Sequence, residues 1–433
     1  MISLSLKASD IFISFLSILT SIKPYQYLFF FLFLQPFLGF TRNEDIDLFK
    51  HFLFRFFSLS LLLYTLFYFS HHYGRIIFVK TGLEPYLAVY IVGVLFSTMS
   101  AIAVGNAVVG RMILSLLTVP ILVSLFYTSS YWFNDRGKIR IAIRYFLNSV
   151  FVVCIIGIIE FIVLSVSGTP INIRLNSVFV DPNIFARYVL LGIFFVIPLL
   201  FYKDVNIFSR KTLIFFLILF LLNLLLSLSR SGYLTFIIGC VVFALFIDNR
   251  KIKSLMIGGS IAVGLLIFAY LMTQRSFAGS ALVEPSNINR IQLILGGLDI
   301  IQSHWLFGIG YTNFGNYFEK QYLENILSVS SEAYREAGMA TEIHSWIIEV
   351  WAEQGIIGLG IFCLLFYKIF SLINTARKRE TNSTHRNILM GFILLFFTFI
   401  FHGFFYHTFI SQFFFWVVGG LGIATARITL NEM

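Results

Sequence analysis

Arginine, serine and histidine residues in four short polar segments are the residues of this chain best suited to chemistry. The first segment, Ser227-Leu228-Ser229-Arg230-Ser231-Gly232, joins two apolar runs with almost no loop. Arg230 therefore stands at the end of an apolar helix. Its guanidinium, with a serine on each side, has the shape to bind a phosphate group through two parallel hydrogen bonds. A cation that merely reaches from a helix end towards water is an equally good interpretation of this motif.

The second segment contains Arg174 and the tripeptide Asp181-Pro182-Asn183, and Arg187 follows inside the next apolar run. Asp at the N-cap and Pro at the first helical position are typical of a helix start, so we predict structural roles for Asp181 and Pro182. Arg187 lies more than one turn into its helix, where a charge facing lipid would be costly. We therefore expect Arg187 to face a cavity.

The third segment begins at Arg290 and ends at Gly308-Ile309-Gly310. A single arginine in a loop is usually a solvated charge, and that interpretation of Arg290 stays open. The apolar positions between the two ends fit an amphipathic helix that lies along a membrane and that the glycines terminate. They are Ile291, Leu293, Leu295, Leu298 and Ile301.

The fourth segment, Thr341-Glu342-Ile343-His344-Ser345-Trp346, precedes a long apolar run. A lone histidine is more often structural than catalytic. At a helix start, however, a neutral imidazole with a pKa near 6.5 is suited to act as a general base towards a hydroxyl. Glu342 and Glu349 are available to orient His344.

Two acidic residues near the beginning of the chain, Asp45 and Asp47, form a weaker candidate for a site. Their carboxylate oxygens could hold a divalent cation. The neighbouring Glu44 makes a solvated acidic turn the favoured interpretation.

The composition requires that these segments be held in a membrane. Of 433 residues, 58% are hydrophobic and 12% are charged, against roughly 45–50% apolar and 25% charged residues in soluble domains. Apolar runs of about 18–25 residues recur along the chain and are long enough to cross a hydrocarbon layer of about 30 Å as helices. The net charge of +10 comes from clusters between these runs, which argues against a nucleic-acid partner. The cysteines, Cys154, Cys240 and Cys363, lie inside apolar runs and are expected to pack as small hydrophobic residues.

The order of apolar runs and basic clusters predicts the topology. We predict an all-α, polytopic membrane protein of about twelve transmembrane helices, with residues 1–433 forming a single integral membrane domain and both termini in the cytoplasm. Segment 273–343 is predicted to be a large external loop that contains the amphipathic helix. The basic clusters that we place in the cytoplasm are Arg136, Lys138, Arg140 and Arg144, then Arg250, Lys251 and Lys253, and finally Arg377, Lys378, Arg379 and Arg386.

In several ordered motifs, the chain resembles the O-antigen polymerase and O-antigen ligase superfamily of bacterial membrane glycosyltransferases. The matching residues extend from about 174 to 360. They are Asp181-Pro182-Asn183, Leu228-Ser229-Arg230-Ser231-Gly232, Arg290 with Trp305-Leu306-Phe307-Gly308-Ile309-Gly310, and His344 with Glu353-Gln354-Gly355-Ile356-Ile357-Gly358. In one departure from the family pattern, Ser345 follows the histidine where members often have asparagine.

The resemblance implies a GT-C-type fold in the bacterial inner membrane, with the large loop and the active site in the periplasm. It implies transfer of a glycan from undecaprenyl pyrophosphate with inversion, without a metal, cofactor or nucleotide sugar. Arg230 and Arg290 would bind the pyrophosphate and His344 would lie beside the acceptor hydroxyl, with Arg174, Arg187 and Glu342 as further substrate-binding residues. The implied partners are the lipid-linked oligosaccharide, membrane lipids and a chain-length regulator protein.

Three alternatives to a metal-independent polymerase stay open: a ligase, a flippase and a metal-dependent enzyme. A polymerase extends a lipid-linked repeat unit, whereas a ligase transfers the glycan to lipid A-core; segment 343–349 is more similar to polymerases, and a Phe-rich, divergent first half suits a polymerase. A flippase for lipid-linked oligosaccharides would need charges near the membrane midplane, where Glu160 is nearly alone. A metal-dependent glycosyltransferase that uses Asp45 and Asp47 is the third alternative.

Overall fold

The computed structural model describes residues 24–37, 44–75, 80–103, 105, 109–167, 174–179, 181–201, 207–247, 250–274, 285–320, 343–405 and 413–431. Every regular element in these ranges is a helix, as the composition predicted. In chain order the helices are α1 (Pro24–Leu34), α2 (Glu44–Tyr73), α3 (Glu84–Ala103), α4 (Val109–Trp132), α5 (Arg136–Val166), α6 (Pro182–Leu200), α7 (Arg210–Leu226), α8 (Arg230–Leu245), α9 (Arg250–Gln274), α10 (Pro285–Ser303), α11 (Phe314–Tyr317), α12 (Trp346–Arg379), α13 (Ser383–Gly403) and α14 (Phe413–Asn431).

A helix lies at each of the twelve apolar runs that the sequence predicted to span the membrane. Within the described residues, six helices are long and apolar enough to cross a bilayer. They are α3, α5, α6, α12, α13 and, from Phe414, α14. The chain therefore has the helices of a membrane protein, and the number of twelve spans stays a prediction.

Helix α6 forms the centre of the bundle. Its sequence is apolar on all sides, which is typical of a helix surrounded by protein, and nearly every residue from Asn183 to Leu199 is buried. It packs against α13 and α7. Gly391 of α13 permits close contact, because a Cβ atom there would lie 2.8 Å from the ring of Phe195 on α6. The position of α6 thus fixes the residues at its N-terminus within the interior of the protein.

The three basic clusters lie at one end of the bundle. Arg136 at the start of α5 donates to Glu380, which follows α12, with an Nη2–Oε2 distance of 3.1 Å. Near the end of α12, the guanidinium of Arg377 lies 4.9 Å from the ring centroid of Phe246, just before Arg250 and α9. The shared end agrees with the predicted topology.

Helix α12 is broken at Gly355, where the sequence predicted one continuous run. This residue has φ 69° and ψ −177°, a backbone conformation that is essentially restricted to glycine. The ring centroids of Trp346 and Phe362 are 5.2 Å apart, although sixteen residues of straight helix would separate them by about 24 Å. Residues 346–354 therefore fold back against residues 356–379 and form a separate first section of α12.

Candidate functional site

The tripeptide at the start of α6 is structural in its first two residues, as predicted. Asp181 is the N-cap, and its carboxylate accepts a hydrogen bond from the backbone N–H of Asn183. Pro182 occupies the first helical position, where its missing N–H costs nothing. The cap leaves the side chain of Asn183 pointing to partners elsewhere in the chain.

Asn183 connects two predicted arginine segments. Its buried side-chain oxygen accepts hydrogen bonds from the hydroxyl of Ser229 at 2.7 Å and from Nη2 of Arg174 at 3.0 Å. The hydroxyl of Ser231 is 3.4 Å from the same oxygen. Residues separated by more than forty positions in sequence are thus held at one point.

The three serines beside Arg230 hold the turn between α7 and α8. The hydroxyl of Ser227 donates to the carbonyl of Leu224, and Ser229 is the N-cap of α8. Leu228 adopts φ 49°, a left-handed conformation that is costly for leucine and that these hydrogen bonds maintain. The serine hydroxyls are therefore part of the turn, while the side chain of Arg230 is exposed at the first position of α8.

The structure adds a histidine that sequence reasoning missed. His402, near the end of α13, is completely buried, and its Nε2 lies 3.3 Å from the hydroxyl of Ser231. It belongs to an apolar run without a polar motif and is separated from Ser231 by 171 positions. No local pattern in the sequence could have connected the two residues.

The same end of α13 also holds the segment that contains His344. The indole N–H of Trp346 donates to the carbonyl oxygen of Ile400 at 3.1 Å. Ile400 is two residues from His402, and Trp346 is two residues from His344. The segments of Arg230 and His344 therefore meet at one end of the bundle, opposite the end that holds the basic clusters.

The charges of Arg290 and Asp181 both influence the protonation of His344. Burial lowers the pKa of His344, the positive charge of Arg290 lowers it further, and the negative charge of Asp181 raises it, with a resulting value of about 4. The imidazole is therefore neutral at neutral pH and has a ring nitrogen able to accept a proton. Two of the three predicted catalytic residues, Arg290 and His344, are therefore close enough for their charges to interact.

The remaining predicted substrate-binding residues differ in their positions. Arg174 is exposed to solvent and donates its hydrogen bond to Asn183 from the edge of the candidate site. Arg187 lies one turn further along α6 and is only 2% exposed, so it is buried in protein, while the cavity that we expect beside it stays a prediction. Glu342 lies outside the described residues.

Helix α10, which carries Arg290, has two apolar faces where the sequence predicted one. Leu293 and Ile301 are buried in a cluster with Ile343 and Ala352 around the first section of α12. The opposite apolar positions are about half exposed: Ile291, Leu295 and Leu298. Packing against α12 determines the direction of α10 and so the position of Arg290, which a period of 3.6 residues by itself could not predict.

The glycine motif after α10 is locked to the break in α12. The two side-chain oxygens of Glu353 accept hydrogen bonds from the backbone N–H groups of Thr312 and Phe314, at 2.9 and 3.1 Å. A Cβ atom at Gly308 would lie 2.3 Å from the backbone of Glu353, and one at Gly355 would lie 2.0 Å from the carbonyl oxygen of Leu306. Glu353 and the glycines therefore have a structural role: they attach the loop after α10 to α12.

Glu160, the acid on which the flippase alternative depends, also has a structural partner. Its Oε2 accepts a hydrogen bond from the backbone N–H of Ser177 at 2.7 Å. Ser177 adopts φ 51° in the short segment that follows Arg174. The contact anchors this segment against α5.

The described residues bring together no group of three or more His, Cys, Asp or Glu residues that could hold a metal ion. Asp45 and Asp47 lie in the first turn of α2, and their side chains are not among the described ones. The candidate site consists of the residues that the contacts and charges above connect: Asp181, Asn183, Arg230, Arg290 and His344.

Comparisons with known proteins agree with the motifs. No curated protein matches the chain significantly. Residues 215–363 match the family described as O-Antigen ligase. This range includes Arg230, Arg290 and His344, whereas Asp181 and Asn183 precede it. The match, over about a third of the chain, supports the resemblance to the O-antigen ligase and polymerase superfamily.

Proposed function

We propose that the chain is an O-antigen polymerase, a GT-C-type glycosyltransferase of the bacterial inner membrane. It would transfer a glycan from undecaprenyl pyrophosphate to a lipid-linked repeat unit at the periplasmic face. The observation that carries the proposal is the convergence of Arg290 and Asp181 on a neutral His344 at the end of the bundle that also holds Arg230. A base beside fixed cations is the arrangement that glycosyl transfer from a pyrophosphate requires.

In the proposed reaction, the acceptor hydroxyl loses its proton to His344 as its oxygen attacks the anomeric carbon of the donor. The bond between that carbon and the pyrophosphate oxygen breaks, and the electron pair leaves with the pyrophosphate. Arg290 and Arg230 stabilise the charge that develops there more strongly than water would, because they are fixed at the boundary of a low-dielectric region. Attack from the side opposite the leaving group inverts the anomeric carbon.

A pKa of about 4 would make His344 a weak base, but binding of the donor would raise this pKa. In the protein without substrate, Arg290 disfavours protonation of the ring. A pyrophosphate bound at Arg290 offsets that positive charge, so we expect the pKa of His344 to rise when the donor binds. The base would then become stronger only in the complex that needs it.

A purified reaction with the lipid-linked repeat unit as the only substrate tests the proposal. A polymerase gives products that grow in steps of one repeat unit. We expect Arg230→Ala, Arg290→Ala and His344→Ala each to abolish growth. Arg210→Ala is the matched control, because Arg210 is also an exposed arginine at a helix start but lies at the opposite end of the bundle. Full activity of any of the first three variants would remove that residue from the site.

The matched family favours an O-antigen ligase as the second candidate function, because its description names that activity. Donor chemistry and site residues would be the same, and only the acceptor, lipid A-core, would differ. A strain that lacks the protein separates the two. Single repeat units on lipid A-core indicate a polymerase, whereas bare core with the glycan retained on its carrier indicates a ligase.

A further inference from the structure

An apolar groove lies between α12 and α13, on two of the candidate membrane spans. It has a volume of about 440 Å³, and all of its lining residues are aromatic, aliphatic or cysteine. Cys363 and Phe370 belong to one wall, Phe397 and Ile400 to the other, and several lining side chains are exposed on the outer surface of the bundle. Such a groove opens towards lipid and accepts hydrocarbon.

The groove begins at the candidate site. Trp346 and Phe404 both line it, and their ring centroids are 5.7 Å apart. Trp346 is two residues from His344, and Phe404 is two residues from His402. A ligand with a polar head at the candidate site and an apolar chain in this groove would therefore follow one continuous surface.

The depth of the groove matches one leaflet of a bilayer. From Phe404, the C-cap of α13, the lining extends back along the helix to Phe396, which is about 12 Å. Half of a hydrocarbon layer of about 30 Å is about 15 Å. The groove thus ends within the leaflet on the side of the candidate site, where the chain of a lipid substrate would have its first carbon atoms.

We infer that this groove binds the first isoprene units of the polyprenyl chain that carries the glycan. The inference rests on the proposed function and adds a binding site to it. If each carbon atom with its hydrogens takes about the 30 Å³ that a water molecule occupies in the liquid, the groove of about 440 Å³ holds about fifteen carbon atoms, or three isoprene units. Burial in the groove adds little hydrophobic free energy, because the chain comes from lipid that is equally apolar. Its effect is to set the depth and direction of the pyrophosphate relative to Arg290 and His344.

Photo-crosslinking tests the groove without requiring turnover. The probe is undecaprenyl pyrophosphate with a diazirine on its second isoprene unit, added to the purified protein in nanodiscs. We expect crosslinks at the lining residues of α12 and α13, and competition by unlabelled undecaprenyl pyrophosphate. Equal competition by phosphatidylethanolamine would show that ordinary membrane lipid occupies the groove, and crosslinks confined to other helices would place the chain elsewhere. Either result would overturn the inference.

Two bulky substitutions test the groove from its two walls. Cys363→Trp and Ile400→Trp should each abolish crosslinking and lower kcat/KM, because a reactive group displaced by about 1 Å can cost about 100-fold in rate. Leu364→Trp is the matched control, since Leu364 is adjacent to Cys363, is 53% exposed and does not line the groove. The loss should be smaller for a donor with a two-unit polyprenyl chain. Equal loss in Leu364→Trp, or no loss in both wall variants, would refute the inference.

Failure of this inference and failure of the proposed function give different results. If the protein lengthens glycans normally but shows no specific crosslink in the groove, the proposed function stands and the proposed binding site is wrong. If the protein crosslinks undecaprenyl pyrophosphate in the groove but transfers no sugar, the proposed binding site stands and the proposed function is wrong.

Discussion

Substitution of Gly355 by alanine should uncouple the loop after α10 from α12. The backbone of Gly355 is in a conformation that costs any residue with a Cβ atom about 1–3 kcal/mol. The new methyl group would also lie 2.0 Å from the carbonyl oxygen of Leu306. The backbone around Leu306 is held in place, because the carbonyl of Trp305 accepts a hydrogen bond from the N–H of Ile356 at 2.8 Å. Overpacking adds about 1–3 kcal/mol, so we expect a total destabilisation of about 2–6 kcal/mol.

Alanine at Gly360 provides the matched control in the same helix. A Cβ atom at Gly360 meets nothing within 4 Å, and its backbone is helical. Gly360→Ala should therefore be neutral or stabilising by up to about 1 kcal/mol. The assay is the temperature at which the purified protein loses its monodisperse elution in detergent, together with glycan assembly in cells. Equal thermal stability of Gly355→Ala and Gly360→Ala would refute the conclusion that Gly355 is locked against the loop.

Three further predictions concern the replacement of ionisable side chains. Arg290→Gln should raise the pKa of His344 above about 4, because a neighbouring positive charge is lost; the pH dependence of diethylpyrocarbonate modification, mapped to His344 by mass spectrometry, measures it. Glu380→Gln should cost about 2 kcal/mol at pH 7, because the carboxylate accepts hydrogen bonds from Arg136 and Thr429. Burial raises the pKa of Glu380, but those contacts lower it overall, so the difference from wild type in thermal unfolding should shrink as the pH falls below about 4. Glu353→Gln should lower the free energy of unfolding by about 2 kcal/mol in the same assay. The two carboxylate oxygens each accept a hydrogen bond from a backbone N–H group, and the NH₂ group of glutamine cannot accept one of them.

The helices and the shared end of the basic clusters could be predicted from sequence, because both depend on local composition. A run of apolar residues must satisfy its backbone within itself in lipid, and that requirement determines the helix wherever the run occurs. The cap at Asp181 and Pro182 is likewise a local feature. Patterns of this kind need no knowledge of which helices are neighbours.

The missed features depend on contacts between distant segments. His402 looks like an isolated polar residue in an apolar run until α13 packs beside α8. The break at Gly355 requires the backbone of residues 305–307, which the sequence separates by about fifty positions. Helix α10 likewise shows one amphipathic period in sequence, and only its contact with α12 divides the apolar residues into buried and exposed faces.

The candidate site extends beyond the part of the chain that matches a known family. Residues 215–363 contain Arg230, Arg290 and His344, but the turn before Arg230 is held by Asn183, and the segment of His344 is held by α13. These contacts come from both sides of the matched range. A fragment limited to residues 215–363 would therefore retain the predicted catalytic residues and lose the groups that position them. The proposed geometry for glycosyl transfer therefore depends on α6 and α13 as much as on the motifs. These two helices hold together segments that lie far apart in sequence.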